Sequence, residues 1–284
     1  MAHVSFEYFP GRSDKAKNQL EKTVALLAEY QPEFQSVTYG AGGSDQQGSF
    51  DAVVAMQAAS GIPTASHLTY TGSTKEEIHA FADKLWEAGI KQVVALRGDS
   101  RVGSDLVPFA DTPEFVAALR ECHPFELAVA CYPEVHPKAD CLEDDLAVLK
   151  AKQEAGATLA ITQFFFDNSK FYDFVSKARA AGITIPIVPG ILPIYNFARV
   201  CEMAEACGAY IPEGIYNAFS SGKVCGSTDL EIASEILKSQ VHDLACAGYE
   251  AVHIYTLNRI PLAKIASDTF LKTHEDLANK RKVA

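Results

Sequence analysis

Val4-Ser5-Phe6-Glu7-Tyr8-Phe9 is a short apolar run interrupted by one carboxylate, and its pattern recurs along the chain. Seven further runs follow: Phe34–Gly40 (FQSVTYG), Pro63–His67 (PTASH), Val93–Asp99 (VVALRGD), Glu126–His136 (ELAVACYPEVH), Leu159–Phe166 (LAITQFFF), Ile185–Leu192 (IPIVPGIL) and Ala251–Arg259 (AVHIYTLNR). Each is short enough for one buried strand, and helix-length amphipathic stretches separate them. A β-α alternation repeated about eight times implies parallel strands, and closure into a (β/α)8 TIM barrel is the economical solution. Such barrels carry their active sites at the C-terminal ends of the strands. All the runs but Ile185–Leu192 contain or end in a chemically capable group, so the pattern predicts both an α/β barrel and the place to look for its site.

The spacing predicts helices from Ser13-Asp14 to about Tyr30, from Gln46 to Ser60 with Gly61 as a left-handed cap, and from Leu142 to Glu154. Two extra helices, Ile211–Phe219 and Leu230–Ala247, are expected before the last strand. Lys280-Arg281-Lys282 reads as a frayed, solvated tail. No linker or low-complexity segment divides the chain, so residues 1–284 are expected to form a single domain.

Composition narrows the function. The net charge of −11 argues against a sequence-independent nucleic-acid binder and against docking on an anionic membrane. No apolar run approaches a membrane span. Seven cysteines form no C-x-x-C pair and no leader-like segment opens the chain, so reduced thiols and a cytoplasmic location are expected.

Glu7 is the sharpest chemical signal. Set among Phe6, Tyr8 and Phe9, its charged form is expected to be disfavoured, which suits a proton donor; the bland alternative is a strand glutamate facing solvent or pairing with a cation. Arg97-Gly98-Asp99 offers a bidentate anion grip, close backbone approach and a carboxylate at the mouth, or merely a loop ion pair. Tyr132-Pro133-Glu134-Val135-His136-Pro137 is a loop stiffened by two prolines. Asp145 and Lys152 lie two turns apart on one helix face, and by spacing alone that face reads as solvated. Tyr39-Gly40-Ala41-Gly42-Gly43-Ser44 fails as a dinucleotide fingerprint, since Asp45 stands where G-x-G-x-x-G needs its third glycine. A metal site built from Glu7, His67, Asp99, Glu134 and His136 lacks any H-x-H or H-E-x-x-H pairing, and no metal is expected.

Taken together, SFEYFP, SVTYGAGGS, HLTY, VALRGD, YPEVHP, ITQFFFD, VPGILPI and IYTLNR, in this order from Val4 to about Arg259, resemble the methylenetetrahydrofolate reductase family in its short bacterial form. The resemblance implies a barrel holding FAD at its C-terminal face. It implies reduction of 5,10-methylenetetrahydrofolate to 5-methyltetrahydrofolate with NADH or NADPH in a ping-pong cycle, by a homo-oligomer without the regulatory domain of eukaryotic forms. It makes Glu7 the general acid and Asp99 the catalytic acid beside flavin and pterin. Thr38, Tyr39, Ala41, His67, Arg97, Gly98, Asp99, Phe109, Ala110, Tyr132, His136, Ala139, Asp145 and Lys152 become cofactor contacts. Asp99, Gln163 and Arg259 become substrate contacts. Departures from the family pattern are Pro10-Gly11, Tyr70, Phe109, Val148, Ala151, Arg199 and Met203. The residues also admit another flavin-dependent barrel oxidoreductase, such as a proline dehydrogenase-like enzyme, or a non-catalytic folate- or flavin-binding subunit.

Overall fold

The computed structural model describes residues 2–39, 46–98, 106–224 and 226–283. Within them the strands are β1 (His3–Tyr8), β2 (Gln35–Val37), β3 (Thr64–Thr69), β4 (Gln92–Leu96), β5 (Glu126–Cys131), β6 (Leu159–Thr162), β7 (Ile187–Val188), β8 (Gly190–Ile191) and β9 (Ala251–Tyr255). All pair in parallel in the order β7-β6-β5-β4-β3-β2-β1-β9-β8. Only Pro189 separates β7 from β8, so the two ends of the sheet meet and the barrel closes with eight staves.

The expected seventh strand, Ile185–Leu192, is thus two fragments. Proline has no N–H to offer a ladder, and the run breaks there. Side chains close the seam instead: the Gly190 N–H donates to Thr162 Oγ1 (2.8 Å), and the Tyr255 hydroxyl donates to the Thr162 carbonyl (2.6 Å). A Cβ at Gly190 would stand 2.2 Å from that carbonyl oxygen and 2.7 Å from the Tyr255 ring, so only glycine permits the approach.

The helices outside the barrel are α1 (Asp14–Leu27), α2 (Gln46–Ser60), α3 (Lys75–Glu87), α4 (Thr112–Cys122), α5 (Leu142–Glu154), α6 (Asn168–Ala180), α7 (Phe197–Cys207), α8 (Glu213–Val224), α9 (Asp229–Cys246) and α10 (Ile260–Val283). Ser13 caps α1 through the Ala16 N–H, and Thr74 with Glu77 forms a reciprocal capping box at α3. Gly61 closes α2 at φ 69°, the left-handed conformation its position required. The extra helices are α8 and α9. Contrary to the frayed tail expected, α10 stays helical through Lys280-Arg281-Lys282.

Strand alternation sorts two cores. Phe6 and Tyr8 point outward into the large apolar layer beneath the helices. Phe34, Ala65, Val94, Ala128 and Ile161 point inward and plug the barrel. Above that plug the inward positions turn polar, which leaves room for a site.

Candidate active site

Glu7 points inward, away from Phe6 and Tyr8. Its Oε2 stands 3.3 Å from His67 Nε2 on β3 and 3.8 Å from His253 Nε2 on β9. The pairing of β1 with β9 aligns Ser5 with His253 and Glu7 with Tyr255, so all four side chains face the interior. Ser5 Oγ lies 2.8 Å from His253 Nδ1 and fixes the ring of a fully buried imidazole. Burial by itself pushes the Glu7 carboxyl up. The neighbouring His67 and then His253 imidazoles more than reverse this, and hold it at about 2 against an ordinary 4.5.

The expectation that aromatic neighbours would disfavour the charged form is therefore overturned. Those aromatics are neighbours in sequence and lie on the opposite face of the strand, while the groups that reach Glu7 in space are imidazoles. Burial, and secondarily the Glu7 charge, push the Tyr255 phenol well above its ordinary value, so it stays protonated.

Two confluent cavities open at the C-terminal end of the barrel. The inner one, about 450 Å³, is lined by Glu7, His67, Gln163 and Tyr255 over an apolar floor that includes Val94 and Ile161. The outer one, about 930 Å³, is lined by Arg12, Arg97, Lys138 and His136 together with Thr69, Thr71 and Gly98. Phe9, Thr38, Leu96, Tyr132 and Gln163 are among the residues that border both. These are ligand-sized volumes. In an acidic chain, the described lining of the outer cavity carries cations and no carboxylate.

Several expected site residues come together here: Glu7, Thr38, His67, Tyr132 and Gln163 at the inner cavity, and Tyr39, Arg97, Gly98 and His136 at the outer. Gly98 sits at φ 81° against Thr69, where a Cβ would come within 2.7 Å of the Thr69 side chain. Gln163 Oε1 accepts from the Phe164 N–H (3.0 Å), which leaves the side-chain NH₂ end for a ligand. Ala41 and Asp99 lie outside the described residues.

Others stand back from both cavities. Asp145 and Lys152 do not form the solvated face that spacing alone suggested, because α5 turns that face onto the barrel. Asp145 Oδ2 accepts from the His136 N–H (3.0 Å), and Lys152 Nζ donates to the Ala130 carbonyl (2.8 Å). Burial pushes the Asp145 carboxyl up and the Lys152 ammonium down, and their mutual attraction opposes both. Together they pin the end of β5 and the Tyr132–Pro137 loop. The Ala139 N–H donates to the His136 carbonyl in that loop. Phe109 is buried edge-on to Tyr70 and beside Phe115, and the Ala110 N–H donates to Glu114. Arg259 is exposed, with its guanidinium 5.1 Å from the Tyr195 ring.

The sequence reading missed His253, Ser5 and Tyr255. Counting by twos from Glu7 and along β9 would have placed them on the inward face. Among the described residues no three His, Cys, Asp or Glu side chains gather as a metal site, and no helix is long and apolar enough to cross a membrane.

The sequence model of the methylenetetrahydrofolate reductase family matches residues 1–268. The chain belongs to the methylenetetrahydrofolate reductase family. The 5,10-methylenetetrahydrofolate reductases of Salmonella typhimurium and Escherichia coli are each 36% identical to it over 261 residues, which are 92% of this chain and 88% of theirs. Methylenetetrahydrofolate reductase (NADH) 1 of Zea mays is 33% identical over 89% of this chain, which spans 46% of that longer protein.

Among solved structures, a Clostridium thermocellum protein that binds two copies of 5-methyl-5,6,7,8-tetrahydrofolic acid superposes with a TM-score of 0.63 at 14% identity, covering 97% of this chain and 94% of its own. Dihydrodipicolinate synthase of Thermotoga maritima gives 0.53 at 12% identity, over 99% and 82%. At such identities the likeness is one of fold. Glu7, His67 and Gln163 line one cavity, and Arg97 lines the adjoining one.

Proposed function

We propose that this chain is a flavin-dependent 5,10-methylenetetrahydrofolate reductase that draws reducing equivalents from NADH or NADPH, the two substrates taking turns in one site. The observation that carries the reading is Glu7, held between His67 and His253 at the head of a cavity that opens into a cation-lined one. Family membership and relatives named for this reaction support it. In this reading the whole barrel acts as one catalytic domain.

The outer cavity fits a flavin dinucleotide. Arg97 and Lys138 form no ion pair among the described residues and can grip a pyrophosphate. Among the described residues, the Thr71 hydroxyl is buried against the same cavity without a hydrogen-bond partner, as expected of a group that a ligand would satisfy. Burial pushes the His136 imidazole below its ordinary value; Asp145 opposes this and the neighbouring cations add to it, so it offers a neutral ring beside the cations. When bound, the flavin supplies the two-electron hydride chemistry.

The protein's own part is one proton and a set of positions. Glu7 delivers a proton to the folate nitrogen released when the five-membered ring opens. His67 and His253 lie close enough to replace it, and Ser5 keeps His253 turned towards the carboxylate. The Gln163 NH₂ donates to whichever substrate occupies the inner cavity. The plug of Phe34, Val94 and Ile161 closes the floor against water.

The deciding experiment is anaerobic stopped-flow on FAD-loaded protein with NADH, NADPH and methylenetetrahydrofolate in turn. Flavin reduction by nicotinamide and reoxidation by the folate are expected. A colourless protein that does not take up FAD sinks the reading.

A further inference from the structure

We infer that Phe9 is the platform on which the planar ring system of the substrate stacks, and that Asn258 is the residue that positions it. This rests on the reductase reading above and adds residues to which that reading assigns no role.

Phe9 is the first residue past β1 and follows Glu7 by two, so strand alternation turns both towards the mouth. It borders both cavities, and the residue is 44% exposed. The other aromatic rings at the mouth are already engaged: Tyr39 against Phe81, Tyr132 against His136, Phe164 against Phe166 and Tyr255 against His253. Among the described residues no aromatic ring packs on Phe9. An apolar ring held open to solvent beside a proton donor is a surface for a ligand.

Its backbone is held far more firmly than its exposure suggests. The Phe9 N–H donates to Asn258 Oδ1 (2.9 Å), and Asn258 Nδ2 donates back to the Phe9 carbonyl (2.8 Å). One amide side chain thus continues the β1–β9 ladder beyond the point where the strands part. To reach there, the chain takes two successive left-handed residues, Leu257 at φ 51° and Asn258 at φ 55°. Asparagine tolerates that conformation, whereas leucine does not favour it. The turn is secured by the Thr256 hydroxyl, which accepts from the Asn258 N–H (3.1 Å) and donates to the Glu7 carbonyl (2.6 Å). The same turn therefore fixes the backbones of the proton donor and of the platform two residues on. A ring lying on Phe9 is presented at a set height above Glu7, which assigns the surface to the substrate that is protonated and not to the flavin.

The test uses the FAD-loaded enzyme, with steady-state kinetics on methylenetetrahydrofolate and calorimetric titration of 5-methyltetrahydrofolate. Phe9→Ala is expected to raise KM and Kd for the folates about tenfold, as loss of a stacking partner does, with kcat within about threefold and flavin content unchanged. Phe9→Tyr restores both to within about twofold. Asn258→Gly keeps the left-handed backbone but removes the clamp, and it raises KM by a smaller factor, about three- to fivefold.

Unchanged KM and Kd in Phe9→Ala overturn the inference, as does a fall confined to kcat. Loss of flavin without loss of folate affinity would give the platform to the cofactor and overturn it too. Unsubstituted protein with no folate-dependent turnover is a different failure. It removes the reductase reading itself, and this inference with it.

Discussion

Replacing Glu7 by glutamine keeps the shape of the group between His67 and His253 and removes its ability to carry a proton. In the free protein the carboxyl sits at about 2, so at pH 7 it is almost wholly ionised. Placing a proton on it there costs about 7 kcal/mol, from a gap of about five pH units at about 1.4 kcal/mol each. A working acid must recover most of that cost when the substrate arrives. Closing the mouth provides the means: excluding water raises the burial penalty on the carboxylate and favours its protonated form.

Folate binding near neutral pH should therefore be accompanied by proton uptake close to one per site. Calorimetry in two buffers of different ionisation enthalpy measures it. Glu7→Gln should bind folate with little or no uptake. Its folate half-reaction should fall by about 10²- to 10⁴-fold, while its reduction by NADH stays within a few-fold. Equal loss of both half-reactions, a folate half-reaction retained within about tenfold, or the same uptake in the glutamine variant would each refute this reasoning.

The same pair governs acid stability. A carboxyl held at about 2 in the fold and near 4.5 when unfolded contributes about 3 kcal/mol above pH 4.5, lost as pH falls from 4.5 towards 2; in Glu7→Gln, urea midpoints should lose that part of their acid slope. Gly190→Ala forces a methyl against the Thr162 carbonyl and should cost about 2–4 kcal/mol, read as a lower Tm with loosened hydrogen-exchange protection at the β7–β8 seam. Lys152→Met leaves the Ala130 carbonyl without its donor and should destabilise by about 1–3 kcal/mol in thermal unfolding; an unchanged Tm would show that the buried ammonium contributes nothing.

The eightfold alternation, the parallel class of the sheet, the caps at Ser13 and Gly61 and the identity of Glu7 as the group to watch all follow from local rules. Periodicity, capping chemistry and a charge in an apolar run act over a few residues, and a sequence displays those directly. The break at Pro189 was readable too, since a ring nitrogen cannot serve a ladder, but its repair by Thr162 and Tyr255 was not.

Glu7 marks the boundary most clearly. The chain shows it between Phe6 and Tyr8, yet a strand sends successive side chains to opposite faces, so its real neighbours arrive from positions 60 and 246 residues away. Register and closure, which depend on every strand at once, bring in His67 and His253 and reverse the sign of its electrostatics. Asp145 and Lys152 changed meaning for the same reason: their spacing fixes a shared helix face, and only packing decides whether that face meets water or the end of a strand.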